Sequence, residues 1–125
     1  VDNTGEVKDA DMIGFRVKHD NGEELDFVYR KNGQSVVEAI ANIQALAADT
    51  YIKLGFLLNP SAEPAKRIKL FVNGSELTTY ITDTNIEAAT FPAGEELSPI
   101  CHIKNGTAAG SSLSLDWWIV GAERQ

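Results

Sequence analysis

The sequence predicts an all-β chain, folded as an antiparallel sandwich of two sheets, and three observations carry that prediction. Four Asn-Gly pairs, at 21–22, 32–33, 73–74 and 105–106, punctuate the chain. Asn-Gly tolerates the positive backbone φ of tight hairpins and is the strongest short-range hairpin signal in a sequence. The segments between these pairs alternate apolar and polar residues, which sends one side-chain set to each face of a strand. Such segments number about eight, at sandwich-like spacing. The 125 residues fit a single domain, 1–125, with one core.

Taken in order, Ile13, Phe15 and Val17 alternate with Gly14, Arg16 and Lys18. Beyond Asp20-Asn21-Gly22, Leu25, Phe27 and Tyr29 alternate with Asp26, Val28 and Arg30, completing a first hairpin. After Asn32-Gly33 a third strand over 34–40 is predicted, because a tight turn after a strand sends the chain back beside it. Ser35-Val36-Val37-Glu38 is also a capping box in front of VVEAIANIQALAA, so a helix over 35–47 is the competing reading. Residues 51–58 place Ile52, Leu54, Phe56 and Leu58 on one face and Tyr51, Lys53, Gly55 and Leu57 on the other. That is the pattern of a central strand covered on both faces.

Pro60 and Pro64 bracket a loop, and 67–72 with 76–82 form a second hairpin about Asn73-Gly74, turning Ile68, Leu70 and Val72 inward. Thr84-Asn85-Ile86-Glu87 is a further capping box, but Phe91-Pro92 and Gly94 confine it to one short helical connection near 84–90. Residues 97–104 and 111–120 complete the strands. In the last, Leu113, Leu115, Trp117 and Ile119 read as core, opposite Ser112, Ser114, Asp116, Trp118 and Val120. On that placement Trp117→Ala costs about 3–5 kcal/mol.

The formal net charge is -7. An acidic chain lacks the clustered Lys and Arg that neutralise phosphates, so nucleic acid and anionic membrane are not expected as partners. No apolar run reaches the roughly 18–20 residues of a membrane span. With Cys101 as the single cysteine, no disulfide framework is available. The chain starts at Val1 and is read as the C-terminal part of a longer polypeptide, with 1–10 as a linker or N-terminal arm. Asn73-Gly74-Ser75 and Asn105-Gly106-Thr107 are glycosylation sequons, but the type I′ turn explains both.

The stretch EELDFVYRKNG, residues 23–33, raises a catalytic possibility. Retaining glucanases carry Glu-x-Asp-x-Glu on one strand, so that three carboxylates enter one cleft. Glu24 and Asp26 match, but the third place falls on Val28, or on Tyr29 with a bulge, so the second catalytic glutamate is missing. Glu23, Glu24 and Asp26 are then the solvated end of a hairpin strand, with Arg30 and Lys31 solvated on its far side. His19, His102 and Cys101 lack metal-site or nucleophile spacing. Asp83, Asn85 and Glu87 alternate as calcium ligands do, but a capped turn explains the same residues without a metal. No catalytic, cofactor or metal residue is assigned. Trp118 and Tyr51, with Asp116 as a hydrogen-bonding neighbour, are the candidate contacts for a partner protein or a sugar ring.

In its ordered segments GFRVKHDNG, DFVYRKNG, ADTYIKLGFLLNP, RIKLFVNG, EELSPICHIKNG and LSLDWWIVGAERQ, the chain resembles the C-terminal part of the concanavalin A-like jelly-roll domains of tailed-bacteriophage virion proteins. The resemblance runs over about residues 12–123. It implies a non-enzymatic virion protein, assembled in the host cytoplasm and sited on the capsid surface or tail. A capsid decoration or cement protein leads, contacting the major capsid protein or other virion proteins as a homo-oligomer, with a trimer as the working guess. Members of that group carry further strands ahead of the position of Asp11, which implies a chain short of a full sandwich, its missing edge strands belonging to residues outside the sequence. The alternative is a lectin-like carbohydrate-binding module of a phage tail or fibre, or of a glycosidase. Calcium-site motifs of plant lectins are not recognisable in the sequence.

Overall fold

The structure, a computed structural model, describes residues 10–18, 22–95, 98–101 and 112–121. Among them the chain is mostly β, with two small antiparallel sheets of three strands and almost no helix. The first sheet is β1 (Met12–Val17), β2 (Glu24–Arg30) and β3 (Val37–Ala45), with β2 in the centre. The second is β4 (Leu54–Leu58), β5 (Ile68–Val72) and β6 (Ser75–Glu76), with β5 in the centre. A single turn of helix, α1 (Asp83–Ile86), follows.

Both sheets contribute to one core. Phe27, Tyr29 and Ile40 of the first sheet meet Ile68 and Leu70 of the second, and Ile81, Ile86 and Phe91 close the cluster. Phe27 sits at its middle, edge-on to Phe15 at 5.1 Å and to Phe56 at 5.5 Å, the geometry that aromatic quadrupoles favour. The predicted inward set of the second hairpin holds, with Ile68, Leu70 and Val72 all buried.

Within 35–47 the chain forms the predicted strand rather than a helix, over Val37–Ala45. β3 begins later and runs further than the predicted 34–40, and it carries surplus residues. Its partners on β2 change register between Leu25 and Phe27 and again between Phe27 and Val28. The surplus lies on β3, where Asn42 adopts φ 53°, and bulges of this kind bend a strand and increase its twist. They also let Val37, Ala39, Ile40 and Ile43 all pack on the core, which a strict period of two forbids.

Several expectations need correction. Asp26 is fully buried and Arg30 nearly so, although alternation placed both in solvent, because β2 is central and covered on both faces. The Asp26 carboxylate accepts the Asn42 amide at 3.1 Å, replacing a ladder acceptor where the bulge removes one. Arg30 donates to the Ala10 carbonyl at 3.4 Å, and Asp11 accepts from the Asn32 amide at 3.0 Å, so residues 10–11 are tied to the β2–β3 turn. In that turn Gly33 alone takes the positive φ, 78°, with Gln34 donating to Lys31 at 2.9 Å. The turn about Asn73-Gly74 has both residues at positive φ, 51° and 84°, as a type I′ hairpin requires.

The strand predicted over 51–58 is the five-residue β4, at the edge of its sheet and not in the centre. The strand predicted over 76–82 shortens to β6, after which the chain leaves for α1. Thr82, not Thr84, caps that helix, its hydroxyl accepting from the Asn85 amide at 3.3 Å. Residues 98–101 form no strand, as suits Pro99, which cannot donate to a ladder. The rest of the strand predicted over 97–104, Asn105-Gly106 and the residues 19–21 of the first turn lie outside the described residues.

The largest correction concerns residues 112–120. They form no strand, and Leu113, Leu115, Trp117 and Ile119 are all exposed, not core. The pattern misled because Trp118 and Val120 make the opposite face apolar too. Alternation then identifies a segment able to pair without saying that this chain supplies the partner.

Candidate interaction surface

The feature best suited to recognition starts from β4. Its sequence, LGFLL, is apolar on both faces, and as an edge strand it cannot bury both. Pairing with β5 puts Leu54, Phe56 and Leu58 opposite Val72, Leu70 and Ile68 on the core face, and Gly55 and Leu57 opposite Phe71 and Lys69 on the outer face. All four large side chains of β4 remain substantially exposed.

Asn73 holds the entrance to this strand. Its amide donates to the Lys53 carbonyl at 2.8 Å, while its Oδ1 accepts from the Lys53 amide at 3.0 Å. One residue of the β5–β6 turn thereby satisfies both backbone groups of Lys53, which extends the pairing by a rung. At the other end the Asn59 amide donates to the Arg67 carbonyl at 2.7 Å. Lys69 and Glu76 pair across the hairpin at 3.2 Å, leaving no net charge there.

Between these ends lies an open groove of about 250 Å³, lined by Lys53, Leu54, Gly55, Phe56, Phe71, Gly74 and Trp117. Trp117 therefore comes to β4 from a segment predicted to be core. Of the residues predicted for contact, Tyr51 is 72% exposed, Trp118 is 53% exposed, and Asp116 lies in the exposed segment beside Trp117. None of the three lines the groove. Trp117, Phe71 and Lys53 were missed; the doubled tryptophan and the run Phe56-Leu57-Leu58, apolar at consecutive positions, were the available signals.

The acidic stretch leads elsewhere. Asp26 is committed to the Asn42 amide inside the sheet, and Glu38 faces Arg16 at 3.5 Å and Lys18 at 4.0 Å. Asp83 and Asn85 belong to the α1 cap region, where Asn85 Oδ1 also accepts from the Tyr29 hydroxyl at 3.3 Å. Among the described residues no three His, Cys, Asp or Glu side chains come together as metal ligands, and no helix is long and apolar enough to cross a membrane. Cys101 is exposed, and His19 and His102 lie outside the described residues. Compared with protein-family models, curated proteins and solved structures, the chain matches none of them.

Proposed function

We propose that this chain is a non-enzymatic structural protein of a tailed-phage particle, most simply a capsid decoration protein, which docks through the apolar surface around β4 and residues 112–120. One observation carries the reading: Leu54, Phe56, Leu57 and Leu58 of one short strand are all exposed, and the exposed Trp117 lines the same groove as Leu54 and Phe56, a grouping that scattered single residues do not produce. Large apolar patches of this kind mark interaction sites, and aromatic side chains anchor them. The order of the six segments resembling phage jelly-roll domains supplies the setting, with the two sheets as the centre of a concanavalin A-like sandwich. The partner is the major capsid protein or another virion protein.

Cosedimentation of the purified chain with capsids assembled without it tests this. The wild-type chain is expected in the pellet and Trp118→Ala largely in the supernatant; a wild-type chain that stays in the supernatant overturns the reading. A lectin-like module is the second reading, favoured by the exposed rings of Tyr51 and Trp118. Glycan-array binding that Trp118→Ala abolishes, without capsid binding, selects it.

A further inference from the structure

We infer that residues 112–120 of one copy dock as an added strand on the free edge of β4 in a second copy, an inference that rests on reading this surface as the one through which the chain assembles. Each half of the contact lacks something the other half has. The outer edge of Leu54–Leu58 has no partner strand among the described residues, so alternate amides and carbonyls face outward as a template. Residues 112–120 contain aromatic and β-branched side chains, no proline and no glycine, a composition that favours strand, yet they pair with no strand among the described residues.

Within one copy the fit is incomplete. Trp117 is the residue of this segment that reaches the groove, while Ile119 stays 83% exposed. That single anchor brings the segment to β4 and leaves most of both surfaces open. Exposure agrees: the ten large apolar side chains of β4 and 112–120 are each at least 39% exposed, a supply of uncovered surface of the kind that an interface of roughly 800 Å² per partner consumes. Reciprocal exchange of one segment satisfies both copies at once and closes with two-fold symmetry. Strand addition of this kind draws affinity from the backbone ladder and specificity from alternate side chains.

The test is the mass of the full chain across a concentration series, measured by sedimentation equilibrium. The wild type is expected to double its mass, and Leu57→Glu and Leu115→Lys are each expected to weaken that association by more than about tenfold. Mixing the two variants is expected to restore a dimer, since one contact is then wild-type and the other pairs Glu with Lys. Far-UV circular dichroism reports whether each variant keeps the fold. A second measurement avoids the core altogether: Lys53→Cys and Ser114→Cys, each in a Cys101→Ser background, mixed and treated with a short bis-maleimide, should cross-link between copies. A monomer at every concentration, association indifferent to both charge variants, or no cross-link between copies overturns the inference. A monomer that still sediments with capsids overturns strand exchange alone, and a dimer that ignores capsids overturns the capsid reading alone.

Discussion

Asp26 shows how one side chain can fix the course of a sheet. A buried carboxylate stabilises the fold only where its oxygens are satisfied, and here Oδ1 receives the Asn42 amide where the bulge of β3 breaks the ladder. Asp26→Ala is expected to lower stability by about 1–3 kcal/mol, because the Asn42 amide is left without its acceptor. Asp26→Asn keeps an oxygen at that position and should cost less; urea denaturation of the two variants checks the order. Gly74 gives a second case: at φ 84°, Gly74→Ala is expected to cost about 1 kcal/mol, whereas Gly55→Ala, whose added methyl meets Phe71 Cβ at an ordinary 3.9 Å, should be nearly neutral. The Gly74 turn was legible, because Asn-Gly carries its conformational preference in the two residues themselves. The role of Asp26 was not, because the cover on the second face of β2 comes from residues distant in sequence.

Among the elements, β2 and residues 112–120 are opposites. β2 is buried along nearly its whole length, and Phe27 touches both neighbouring rings; Phe27→Ala is expected to cost about 3–5 kcal/mol. Trp117, at 59% exposure, should cost less than about 1 kcal/mol when replaced by Ala in dilute protein, in place of the larger loss expected for a core strand. Thermal denaturation of both variants at one low concentration separates the two cases. The alternation that identified β1, β2 and β5 works because each presents a consistent apolar face. β3 resisted it because bulges put Val37, Ala39, Ile40 and Ile43 on one side, a spacing that imitates a helix. β4 and the final segment were misplaced for a different reason: each is apolar on two faces, and local pattern cannot tell a segment covered on both faces from one left exposed.

At the scale of the molecule, two small sheets share one core while the large apolar side chains of β4 and 112–120 stay exposed. The net charge of -7 keeps copies apart at low ionic strength, so screening should favour contact between them. Self-association is accordingly expected to strengthen as salt rises, and sedimentation at low and high salt checks the sign; association held by surface ion pairs would weaken. Hydrogen exchange followed across a concentration series joins the core and the exposed apolar segments in one measurement, because it reports backbone pairing segment by segment. The amides of Glu24–Arg30 should be protected at every concentration, while the outward-facing alternate amides of Leu54–Leu58 and those of 112–120 exchange readily when dilute and gain protection together as concentration rises. Protection of 112–120 equal to that of β2 in dilute protein would place that segment in the core and contradict the account.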